Sequence, residues 1–137
     1  MHARTLGRSV WLAAGIAVSA VASVSAQGPR WDNLGSRTVN HSADRDEIRV
    51  TAREGRYSSI KLTVEKRGVE FKNMIVHFGD PRGGTQDVAI RKLIEGGGET
   101  RVINLTGGSR VIARVVFLYT SAGRGGGQRP VVTLWGR

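Results

Sequence analysis

Apolar and polar residues alternate along most of this chain. Residues 47–53 put Ile48, Val50 and Ala52 on one face, and residues 58–65 do the same with Ile60, Leu62 and Val64. Side chains of a strand point alternately to its two sides, so this period predicts half-buried antiparallel strands. Residues 69–78 read as another strand whose inward parity shifts between Phe71 and Met74, which predicts a bulge near Asn73. Further strands are predicted at 87–91, 100–105, 110–119 and 131–135, with an opening strand between Trp31 and Asn40. Residues 111–119 are apolar almost throughout, broken by Arg114, as a central strand covered on both sides would be.

Clusters of Gly, Pro and Asp at 54–56, 80–84, 95–99, 106–108 and 122–127 separate these runs. The pattern predicts an all-β domain, an antiparallel β-sandwich or flattened barrel of about eight strands. The one helical candidate, 88–95, is short and is cut off by three glycines. Residues 1–26 break the pattern. Arg4 and Arg8 precede an uncharged stretch over 10–24, which ends in Val24-Ser25-Ala26 before the polar Gln27-Gly28-Pro29-Arg30. A basic head, an apolar middle and a small-residue exit predict a helical secretory signal peptide over 1–26, cleaved after Ala26, with Ala22 as a second choice. The apolar run is shorter than the roughly 20 residues that span a bilayer. The chain therefore divides into a leader (1–26) and one mature domain (27–137), expected in the periplasm or secreted, with no membrane anchor after cleavage.

The absence of cysteine excludes disulfides, thiolate chemistry, cysteine zinc sites and a lipid-modified cysteine. The formal charge is +10, from 21 Lys+Arg against 11 Asp+Glu. Arg4 and Arg8 belong to the leader, so the mature domain keeps about +8. Only Lys61, Lys66, Lys72 and Lys92 are lysines, and arginine is the better residue for forked pairing with carboxylate or phosphate. Arg49, Arg53, Arg91, Arg101, Arg110 and Arg114 are the candidate anion-binding residues, and Lys61 lies in a predicted strand as they do. They form a basic patch if they share a face. The alternative is cross-strand pairing with Glu47, Glu65 or Asp87, which so large a surplus cannot complete.

Several spaced phrases follow one another: Trp31-x-x-Leu34-Gly35 with Val39, Asp46-x-Ile48-x-Val50, Gly98-x-x-Arg101-x-Ile103-x-Leu105-x-Gly107-x-x-Arg110-x-Ile112, Val115-x-Phe117-x-Tyr119, and Trp135-Gly136. Over 31–136 they resemble a group of small secreted bacterial proteins classed as a domain of unknown function. The resemblance implies an exported β-sandwich and passes on no activity and no functional residue.

The densest polar run is 40–47, with His41, Ser42, Asp44, Asp46 and Glu47. A calcium loop needs alternating carboxylates and a sharp turn, and here Arg45 intervenes without a glycine. The run reads as a solvated turn whose Asp44 or Asp46 bonds local backbone. His77, inside an apolar strand, reads as a half-buried, hydrogen-bonded side chain. No Gly-x-Ser-x-Gly elbow is present, and Gly107-Gly108-Ser109-Arg110 is a turn of another kind. The glycine loops at 96–98 and 123–127 have neither phosphate-loop spacing nor a following helix, which leaves them weak anion nests. Trp31 and Trp135 are expected to pack together and close the sandwich. No catalytic residue, metal ligand or cofactor is assigned. The favoured reading is a non-catalytic envelope module for an anionic polymer or an acidic protein, with nucleic acid ranked below both. The alternatives are a small hydrolase using His41 or His77 with a carboxylate, and an assembly protein that pairs through an edge strand.

Overall fold

The stripe Ile60, Leu62 and Val64 lies buried along one face of a strand. The computed structural model describes residues 30–40, 44–50, 55–122 and 127–137. The predicted leader with its expected exit at Ala26, His41 and Arg53 lie outside the described residues. Nine strands are described: β1 (Asp32–Thr38), β2 (Arg45–Arg49), β3 (Arg56–Tyr57), β4 (Ser59–Glu65), β5 (Val69–Phe78), β6 (Thr85–Ile94), β7 (Ile103–Asn104), β8 (Arg110–Ala122) and β9 (Val131–Gly136).

They form two antiparallel sheets, ordered β1-β9-β4-β7 and β2-β8-β5-β6, with β3 also paired to β8. No ladder joins the two sheets among the described residues, so the fold is a sandwich and not a closed barrel. The inward stripes of both sheets merge into one core. Phe117 is its hub, with the Phe71 ring edge-on at 5.9 Å and the Tyr119 ring at 6.0 Å.

β8 is the central strand that its apolar run predicts, flanked by β2 on one side and β5 on the other. Even Val116, on the opposite side from Val115 and Phe117, is buried. The bulge expected near Asn73 is present, as the register of β5 against β6 slips between Phe71 and Asn73. The strand expected at 100–105 shrinks to the two residues of β7. The cause is Thr100, whose hydroxyl takes the Leu62 N–H at 3.0 Å in place of a carbonyl and interrupts the ladder.

The segment after Thr100 crosses toward the other sheet. Arg101 Nη2 donates to the Ala89 carbonyl at 2.9 Å, Gln86 Nε2 donates to the Asn104 carbonyl at 3.0 Å, and the Thr106 N–H donates to Gln86 Oε1 at 2.9 Å. The outer edge of β6 is therefore partly bonded by its own chain, which blunts it against pairing with another strand.

Candidate anion-binding site

Among the described residues, the candidate arginines are not all gathered in one place. Arg49 and Arg114 stand opposite each other on β2 and β8, and both lean on Glu47, at 2.9 Å and 3.7 Å. Arg91 lies in β6, and Arg101 reaches the same strand through Ala89. Arg110, expected to bind an external anion, is buried, and its guanidinium is taken up by partners within the fold. Its guanidinium grips Asp80 with two bonds of 2.7 and 3.0 Å and donates to the carbonyls of Thr106 and Gly83. Its planar head also lies 3.7 Å from the centroid of the Phe78 ring. Asp80 accepts the N–H groups of Val111 and Arg82 as well. The pair thus ties the turn at 80–84 to the one at 106–108. The Arg110 hydrogen bond holds the Asp80 carboxyl far below the usual carboxylate range, against the opposing effect of burial. Asp80 in turn raises the Arg110 guanidinium.

Within the polar run at 40–47, residues 41–43 lie outside the described residues, Asp44 is exposed, and Asp46 departs from the expected solvated turn. Asp46 is buried and accepts the Tyr119 hydroxyl at 2.9 Å and Arg37 Nε at 3.0 Å, so its partners are distant side chains and not local backbone. Burial first, then the bond to Asp46, pushes the Tyr119 phenol well above its ordinary range. His77 is half-buried on the outer face of its sheet, in register with Arg114 and Thr85, and no carboxylate bonds it among the described residues. The glycine amides at 97 and 98 donate to the carbonyls of Val64 and Glu95, which removes them as an anion nest. Trp31 carries the cations of Lys61 and Arg137, each 4.5 Å from its ring centroid, while Trp135 donates its indole N–H to Thr63.

What the structure does bring together is a group of cations at the β5–β6 bulge. Phe71 pairs with Lys92 and Asn73 with Ala89, so Ile90 and Arg91 together oppose the single residue Lys72. Arg91 sits at φ +45°, in the left-handed region that side chains avoid. The bulge breaks the alternation, leaving Arg91, Lys92 and Leu93 exposed one after another. Lys72, Arg91 and Lys92 line a hollow of about 600 Å³ with Glu70, Leu93 and Thr120, over a floor that includes Phe71. A second hollow, of about 410 Å³, shares Lys72 and Arg91 and adds Asn73, Asp87 and Ala89. Lys72, Arg91 and Lys92 make no ion pair among the described residues. Sequence reasoning picked out Arg91 but missed Lys72 and Lys92. The signal was the parity shift at Phe71, which places Lys72 at the bulge opposite Arg91 and next to the partner of Lys92.

A family model described as domain of unknown function DUF2541 matches residues 11–136. The chain belongs to the DUF2541 family. The spaced phrases over 31–136 fall inside the matched range of this DUF2541 chain. No curated protein matches it. Among solved structures it is similar to AlgX of Pseudomonas aeruginosa, at 13% identity and a TM-score of 0.43, over 77% of this chain and 26% of that one. The DUF2541 chain thus spans about a quarter of AlgX.

Proposed function

We propose that this DUF2541 chain is a non-catalytic binding module that works outside the cytoplasm and holds an anionic partner of the cell envelope at the β5–β6 bulge. The observation that carries the reading is the set Lys72, Arg91 and Lys92, gathered around one hollow and left without carboxylate partners among the described residues. Some arginines elsewhere are neutralised in place, as at Asp80 and Glu47. The export half of the reading rests on the leader pattern of residues 1–26.

Binding of inorganic polyphosphate, followed across a salt series, tests the site. Affinity should fall as salt rises, because ions screen exposed charge contacts. The Lys72→Ala/Lys92→Ala double variant should bind about tenfold more weakly, from two exposed contacts of up to about 1 kcal/mol each. Binding that ignores both salt and the double variant would sink the reading. Fractionation of cells that make the full chain tests the address. A product starting at Gln27 in the periplasm or medium is the expected result, and an unprocessed chain in the cytosol is the contrary one.

A further inference from the structure

The two hollows at the bulge differ in chemistry although they share a wall. Lys72 and Arg91 border both. On one side lies Leu93, 49% exposed. On the other lie Asn73 and Asp87, whose side chains bond each other at 2.8 Å and keep further donor and acceptor positions open to hydroxyl groups. We infer that the paired hollows form one bipartite site for a phosphodiester amphiphile, with the phosphate between Lys72 and Arg91, the apolar chain along Leu93, and a hydroxylated head group against Asn73 and Asp87.

The inference rests on the binding reading above and names its ligand class. Three arguments support it. A carboxylate ends a chain and would fill one hollow only, whereas a phosphodiester joins two substituents and sends one into each. The charge also agrees, because three cations against Glu70 and Asp87 leave a surplus of one, which is the charge of a phosphodiester. Finally, each hollow falls within the roughly 300–1,000 Å³ typical of small-molecule sites. The left-handed backbone at Arg91 fits a built site, since strain of this kind gathers where a side chain is aimed for binding.

Calorimetric titration of the protein as recovered from cells, with dihexanoyl phosphatidylglycerol below its micellar concentration, tests the inference. Dihexanoyl phosphatidic acid lacks the hydroxylated arm and glycerophosphoglycerol lacks the chains. Each should bind about tenfold more weakly than the complete ligand. Leu93→Ser should weaken only the two acyl-bearing ligands, and Asn73→Ala only the two with a free glycerol arm. Unchanged thermal midpoints would establish that both variants are folded. Equal affinity for the complete and truncated ligands, or indifference to both variants, overturns the inference. If polyphosphate binds through Lys72 and Lys92 while phosphatidylglycerol does not, this inference falls and the binding reading stands. If neither ligand binds, both fall.

Discussion

A side chain at positive φ costs about 1–2 kcal/mol relative to ordinary backbone, because its Cβ crowds the following carbonyl. Arg91 bears that cost within the edge strand β6, where a glycine would relieve it. Glycine brings its own loss of backbone entropy, about 0.5–1 kcal/mol. Arg91→Gly should therefore leave stability within about 1 kcal/mol of the parent in urea unfolding, while polyphosphate affinity drops several-fold. A large loss of stability would instead make Arg91 a structural residue. Two buried groups set the pH limits. Asp80 stays ionised in the fold at pH values where an unfolded aspartate, with its ordinary value near 4, has taken up a proton. Its contribution is therefore complete above about pH 4 and is lost as pH falls below it. Tyr119 is the mirror case. Its contribution is complete below about pH 10 and is lost as pH rises, because the unfolded phenol ionises first. Asp80→Asn should flatten the acid arm of a stability–pH curve and Tyr119→Phe the alkaline arm. Parallel curves for variant and parent would refute each assignment.

At the scale of elements, the fold was legible wherever apolar residues alternate without interruption. The stripes of β4 and β5, and the bulge between Phe71 and Asn73, follow from parity alone. Where a side chain took over a backbone task, the pattern gave no warning. The Thr100 hydroxyl stands in for a ladder carbonyl, and 100–105 looks like a strand in sequence while only Ile103–Asn104 pairs as one. Partnerships across long separations were hidden as well. Arg110 meets Asp80 thirty residues away, and Asp46 meets Tyr119 seventy-three residues away. The bulge cations fell between the two cases, because the parity shift was visible but its effect on Arg91, Lys92 and Leu93 needed the register of the neighbouring strand. The closing Trp135-Gly136 has a steric reason that sequence alone does not give. A Cβ at Gly136 would lie 2.8 Å from Leu34 Cδ1 and 2.9 Å from the Tyr57 ring. Gly136→Ala should cost about 1–3 kcal/mol, as overpacking does in a filled core. Denaturant unfolding measures it, and a neutral result would mean that β9 can shift without loss.

For the whole molecule, the question is whether the surplus positive charge acts as a diffuse field or through a site. Both weaken with salt, but in different kinetic constants. A field attracts an anionic partner over roughly the Debye length, about 30 Å at 0.01 M salt and about 10 Å at 0.1 M, and so raises the association rate. Short-range contacts made within the hollow act after arrival and set the dissociation rate. Removing Lys72 and Lys92 leaves most of the positive surplus in place, so the field persists while the hollow between β5 and β6 loses two of its three cations. Surface plasmon resonance with immobilised polyphosphate separates the two effects. At low salt the Lys72→Ala/Lys92→Ala variant should associate nearly as fast as the parent and dissociate about tenfold faster. Removing two exposed cations at the opposite end of β5 from the bulge, as in Arg56→Ala/Arg82→Ala, changes the net charge equally and should slow association slightly without touching dissociation. If both double variants behave alike, the bulge is one part of a general cationic surface, and its three converging side chains have no binding role of their own.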